Sequence, residues 1–235
     1  MEKEILLKLK VASVLYENGN KEKSLEHYMK ARHLIDEHKD SIGAFVFLEA
    51  CQVAKKLEKT SDQEAFLKRA KEKGFKTIDE YNAIIAHYAA EDGEDSVRMA
   101  IGHCKSALKI ANNDNDRGLY YFRMARLSEK LEDDMSALLF YEKAYEHYLE
   151  DFDRGRGKPY AALCVAKCHV KAGVYDKAFE YFDIAYNLTI KYDKRICMLI
   201  MQICEPAAMA KEKVGDLDGA MFYLNSAFEI TKRAE

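Results

Sequence analysis

The chain has 235 residues, 49% apolar and 33% charged, the balance of a globular, water-facing protein long enough for one large domain or two small ones. A net charge of −3 gives no global pull toward nucleic acid or an anionic membrane, so neither is an expected partner. No stretch approaches the ~20 apolar residues of a membrane span, and 11 glycines with 2 prolines leave little material for the turns of a β fold.

In chain order, one pattern of small residues keeps returning. The opening MEKEILLKLKVAS is amphipathic and lacks the apolar core of a signal peptide. It leads through Ala12 to a turn at Asn18-Gly19-Asn20 and a second helix carrying Ser24, Tyr28 and Ala31. Cys51, Gln63, Leu67 and Ala70 align as a second copy. Ala86, Ala100, Cys104 and Ala107 align as a third, after a short insertion around EDGEDS. NNDNDRG at 112–118 reads as a connection. Ala125, Ala137, Tyr141 and Ala144 form a fourth copy, DFDRGRGKP at 151–159 a further connection, and Ala166, Ala178, Phe182 and Ala185 a fifth. Ala208, Ala220, Leu224 and Ala227 complete a sixth, with Pro206 expected to kink its first helix. Such spacing has a physical cause: helices approach closely only where small side chains face each other and a large one fills the groove beside them. Gly19, Gly93, Gly173 and Gly215 fall where four of the six first helices must end, since glycine enters the left-handed cap at little cost. The expected architecture is all-α, a single repeat domain over 1–235.

These residues resemble the tetratricopeptide repeat family, most closely in VAKCHVKAGVYDKAFEYFDIAYNL at 165–188 and AAMAKEKVGDLDGAMFYLNSAFEI at 207–230. The chain lacks the family's first-helix Trp and its closing proline, and its period is longer, as in kinesin light chain repeats and the peptide-sensing regulators of Gram-positive bacteria. The resemblance implies a right-handed α-solenoid of about six helix hairpins whose first helices line a concave groove for a peptide or partner helix. By that geometry the groove is lined by residues three before, one after and four after each first-helix small residue. The candidates on that stripe are Tyr16, Gln52, Lys55, His87, Phe122, Arg126, Leu163 and Lys167, reinforced by their neighbours Arg123 and Lys171. Their basic centre, with Phe122 and Leu163 between the charges, suits an acidic or phosphorylated segment carrying a hydrophobic anchor. The Lys/Asn dicarboxylate clamp of heat-shock cochaperones is not matched, since Ser13, Gln52 and His87 stand where Asn belongs.

No constellation in the sequence competes as chemistry. Cys164-x3-Cys168-His169 lacks the further ligands of a closed zinc site. The 112–118 segment misplaces the Gly of a calcium loop and has Arg123 where the bidentate Glu belongs. Arg154-Gly-Arg-Gly-Lys158 lacks the strand and the Gly-Lys-Ser/Thr ending of a P-loop. No nucleophile, metal or cofactor is nominated. The six cysteines, Cys51, Cys104, Cys164, Cys168, Cys197 and Cys204, are expected to be reduced and buried in a cytoplasmic protein. The expected function is a non-catalytic protein- or peptide-binding scaffold. The alternative is a peptide-sensing regulatory module acting through a separate effector, because Met1 leads straight into the first copy without room for a DNA-reading segment. At the other end Met221, Leu224 and Phe228 are expected to face outward from the last hairpin. That leaves two outcomes open: a homodimer or other covering contact there, or a monomer kept soluble by Asn225, Glu229 and Lys232.

Overall fold

The computed structural model describes residues 1–149, 157–192 and 197–234, so most of the 151–159 connection, including Arg154 and Arg156, lies outside the described residues, as does the side chain of Cys197. The described residues form helices and contain no strand: α1 (Glu2–Glu17), α2 (Lys21–His38), α3 (Ala44–Lys56), α4 (Thr60–Lys73), α5 (Ile78–Ala89), α6 (Glu94–Leu108), α7 (Asp114–Lys130), α8 (Asp134–His147), α9 (Gly157–Lys171), α10 (Tyr175–Tyr192), α11 (Cys197–Lys213) and α12 (Leu217–Ala234). Two compact units are present, Met1–His103 and Cys104–Glu235.

In the first unit α1 packs on α2 and α3 on α4, while α1, α3 and α5 lie side by side in that order. The first hairpin shows how the small residues work. Ala12 and Ser24 are both buried, and the Ser24 hydroxyl donates to the Ala12 carbonyl at 2.7 Å. That polar side chain is thus satisfied at the point of closest approach. Tyr28 fills the space beside them, and its phenol donates to Asp62 of α4 at 2.7 Å, where Arg32 also pairs with Asp62 at 3.1 Å.

In the second unit α7–α8, α9–α10 and α11–α12 are packed pairs, and α8 packs on α9 as α10 does on α11. Ala125 and Ala137 meet Tyr141 in one apolar cluster, and Ala166, Ala178, Phe182 and Ala185 in another. The Tyr141 phenol donates to Glu129 at 2.8 Å.

Five of the six predicted hairpin turns share one backbone geometry. Gly19, Glu58, Glu132, Gly173 and Gly215 all have positive φ, between 55° and 79°. Each stands seven residues after its first-helix small residue, Ala12, Cys51, Ala125, Ala166 and Ala208. In each turn the next residue's N–H reaches back five positions, as Asn20 to Leu15, Lys59 to Ala54, Asp133 to Ser128, Val174 to His169 and Asp216 to Lys211. This is the Schellman arrangement, which satisfies carbonyls that the helix end leaves open. Asn20, Asp133 and Asp216 then accept from backbone N–H groups three residues on and start the second helix at once. The turn after α5 departs from this geometry: Ala90 and Glu91 close it with short-range bonds, and Gly93 has φ of 121°.

Several register expectations shift by one residue. Ala86 is exposed, and Ala83, Ile84, Ile85, His87 and Tyr88 are buried instead. Phe66 rather than Leu67 fills the second copy, and Tyr223 rather than Leu224 the sixth. One residue is 100° of helix, enough to exchange core for surface. The 112–118 segment is mostly the first turn of α7, capped by Asn113, whose side chain accepts from the Asp116 N–H at 2.8 Å. Pro206 lies inside α11, which continues through it to Lys213.

Candidate partner-binding surfaces

The position three before the small residue belongs to the packing between helices in the first five copies, whereas in the sixth it is the exposed Glu205. Leu9, Leu48, Ala83 and Leu163 are buried there, and Phe122 is half-buried with its ring 5.3 Å from Tyr141 and 5.6 Å from Tyr160. Leu163 therefore offers no area to a partner, since its side chain is enclosed with Leu199, Ile203 and Cys204. The positions one and four after the small residue are accessible more often: Gln52 and Tyr16 are half-exposed, and Lys55, Arg126 and Lys167 are exposed.

In the first unit, the side-by-side order of α1, α3 and α5 sets Tyr16 on the first helix, Gln52 and Lys55 on the second and His87 on the third. The Lys21 ammonium lies over the Tyr16 ring at 5.7 Å. Lys56 bridges α3 to α1, donating to Ser13 at 2.7 Å and to Glu17, and that contact holds the Glu17 carboxyl below its ordinary range. His87 is not on the surface. It is enclosed between Cys51, whose sulfur lies 3.9 Å from Nδ1, and Tyr88, whose ring stands edge-on at 5.2 Å.

Cys51, His87 and Glu91 form a thiol, imidazole and carboxylate sequence that the linear spacing did not reveal. Glu91 Oε1 is 3.2 Å from His87 Nε2, yet out of line for a hydrogen bond. A nucleophilic cysteine needs a thiolate, and burial works against one here. Desolvation pushes the Cys51 thiol up to about 11 and the His87 imidazole below its ordinary value, Glu91 notwithstanding. The thiol and the imidazole are therefore neutral packing. The remaining described thiols are likewise free, and burial pushes Cys168 and Cys204 up to about 11 and Cys104 and Cys164 up to about 12.

A pH effect follows from the same burial. His87, His103 and His169 are all held below the ordinary imidazole value, chiefly by desolvation, with Lys55 and Lys71 adding to it at His87 and Lys71 at His103. Facing them are Cys51 of α3, Lys71 of α4, Tyr88 and Glu91 around α5, and Tyr181 of α10 at His169. The folded protein keeps these rings neutral, whereas the unfolded chain protonates them near pH ~6.5. Stability is therefore full above that value and is lost as pH falls below it. Melting temperatures are expected to be level from pH 8 to about 7 and to decline toward 5.5, and His87→Gln to flatten the decline. A melting temperature that rises on acidification contradicts this.

In the second unit, Arg126 of α7 pairs with Glu129 at 3.4 Å, and Phe122 of the same helix packs with Tyr160 and Cys164 of α9. Phe122, Arg126, Tyr160, Cys164 and Lys167 are thus neighbours across two helices. Tyr160 escaped the sequence pattern, although it shares the stripe of Cys164, Lys167 and Lys171 by helical spacing. Arg123 lies over the Tyr120 ring at 5.7 Å. Lys171 is paired across to Asp134, which raises its own pKa. Lys167 remains exposed and forms no ion pair among the described residues. No group of His, Cys, Asp and Glu among the described residues is placed to hold a metal, and no helix among them is long and apolar enough to cross a membrane.

Comparison with known proteins adds no family. No protein-family model matches the chain, and no curated protein is significantly similar to it. The helix pairs and their side chains carry the functional argument.

Proposed function

We propose that the chain is a tetratricopeptide-like right-handed α-solenoid that holds a protein or peptide segment along its first helices, as a non-catalytic scaffold in the cytoplasm. The observation that carries this reading is the side-by-side order of α1, α3 and α5. It brings the half-exposed Tyr16 and Gln52 and the exposed Lys55 onto neighbouring helices, with His87 buried on α5 beside them. Taken by itself, the second unit sets the exposed Arg126 and Lys167 beside the half-buried rings of Phe122 and Tyr160. Exposed cations with an aromatic edge between them suit an acidic segment anchored by one apolar side chain, the cations acting mainly on encounter and specificity.

The test is a titration of labelled acidic peptides of about twelve residues with a central Phe or Leu, at two salt concentrations. A variant carrying both Arg126→Glu and Lys167→Glu is expected to lose about tenfold or more in affinity and most of the salt dependence, with unchanged helical content. Both side chains are exposed, so folding is not at stake. Equal affinity in the folded double variant rejects this surface.

A further inference from the structure

Within the second unit, the position one after the small residue is Arg126 on α7, Lys167 on α9 and Met209 on α11. Arg126 and Lys167 are exposed although a further helix pair packs beyond each of them, so this position faces away from the stacking of hairpins. Met209 holds the same place and is 58% exposed. The three helices are direct neighbours: Phe122 of α7 packs with Cys164 and Val165 of α9, and Leu163 of α9 is enclosed with Leu199, Ile203 and Cys204 of α11. Across them the row reads cation, cation, thioether. The backbone of α11 differs as well. Pro206 lies inside this helix and has no N–H, so the carbonyl of Gln202 lacks its usual helical donor. Gln202 and Met209 are seven residues apart, which puts them on one face, and both are exposed, with the half-buried Pro206 between them.

We infer that α11 is the apolar station of the peptide-binding face: Met209 takes an apolar side chain of the held segment, and the Gln202 carbonyl accepts one of its backbone N–H groups. The inference rests on the proposed peptide-binding reading and specifies its ligand. An unbranched thioether adapts its shape to varied apolar partners, and a carbonyl without its helical donor gains a hydrogen bond at no cost to the helix. Charge complementarity sets the order of the segment, since carboxylates belong on Arg126 and Lys167 and the apolar residue on α11. Packed helices lie about 8–10 Å apart, and an extended chain rises about 3.3 Å per residue, so successive stations are about three residues apart along it. The segment that fits carries two acidic residues and one apolar residue at that spacing, with the apolar residue at one end of the series and not between the acids.

Fluorescence anisotropy of the whole chain with two labelled peptides of identical composition tests it, one ordered Glu-x-x-Glu-x-x-Leu and the other Glu-x-x-Leu-x-x-Glu, with Ser and Gly elsewhere. The first is expected to bind about tenfold tighter. Met209→Glu is expected to abolish that preference. Met201→Glu, exposed on the same helix but turned by about 80°, is expected to leave it intact. Pro206→Ala supplies the missing N–H, so it is expected to raise the melting temperature while weakening the first peptide about threefold or more. A purely structural proline would not move stability and affinity in opposite directions. Equal binding of the two peptides, or a preference that survives Met209→Glu, overturns the α11 station. If reversing Arg126 and Lys167 still abolishes binding in that case, the broader peptide-binding reading stands without it. Affinity unchanged by Pro206→Ala overturns the part given to the Gln202 carbonyl, and no binding of either peptide overturns both the station and the reading beneath it.

Discussion

Replacing Ala144 or Ala185 with Leu is expected to lower stability by about 1–3 kcal/mol, or about 2–12 °C in melting temperature for a chain of this size. Both alanines are fully buried. Ala144 sits against Tyr148 and Ala161, and Ala185 lies in the cluster of Phe182, Leu199 and Ile203 while its carbonyl accepts from the buried Thr189 hydroxyl at 2.7 Å. Three added carbons must displace either a neighbouring helix or a tyrosine, and both carry hydrogen bonds and ring contacts that would move with them. The control is built into the irregular hairpin: Ala86 is exposed, so Ala86→Leu is expected to stay within about 0.5 kcal/mol of the parent. Thermal melts of the three variants decide the matter. Equal melting temperatures for Ala86→Leu and Ala144→Leu would remove the assignment of the small residues to the closest helix contacts.

What the linear pattern reveals, and what it hides, divides along the same lines. Ala12, Ala31, Ala70, Ala107, Ala144 and Ala185 are all fully buried, because a small residue at a helix crossing is a local requirement that spacing exposes directly. The outer surface is harder, since burial there depends on two flanking helices and on their angles. Leu163 and Phe122 occupy equivalent positions, yet one is enclosed and the other half-buried among tyrosines. His87 disappears from the surface because α5 packs on α3 with this face inward, setting the ring against Cys51 and Tyr88. The Cys51, His87 and Glu91 grouping joins residues 36 and 4 apart, across two hairpins, and only the packing of α3 on α5 brings them together. Leu224 fails for a simpler reason: Tyr223 is one position away, and its phenol reaches Asp183 on α10, so the polar end finds a partner while the ring fills the core.

The turns carry the second large expectation, and it has opposite signs at different copies. Gly173 and Gly215 hold φ of 74° and 79°, and a Cβ added at either would meet no atom within 4 Å. Gly173→Ala and Gly215→Ala therefore cost the left-handed backbone conformation, about 1–2 kcal/mol, less the ~0.5–1 kcal/mol by which alanine restricts the unfolded chain. Glu58 and Glu132 occupy the same place with φ of 57° and 55°, and make the same backward hydrogen bonds, so they bear that cost already. The sequence conceals them because the usual marker, glycine, is absent. Only the constant interval of seven residues from Cys51 and Ala125 points to them. Glu58→Gly and Glu132→Gly relieve the strain but free the unfolded chain by about 0.5–1 kcal/mol, which leaves a net gain of up to about 1 kcal/mol. Chemical denaturation of the four single variants should show two midpoints lowered and two raised, with unchanged slopes. Lowered midpoints for both glutamate variants would mean that their carboxylates stabilise these turns by more than the left-handed backbone costs.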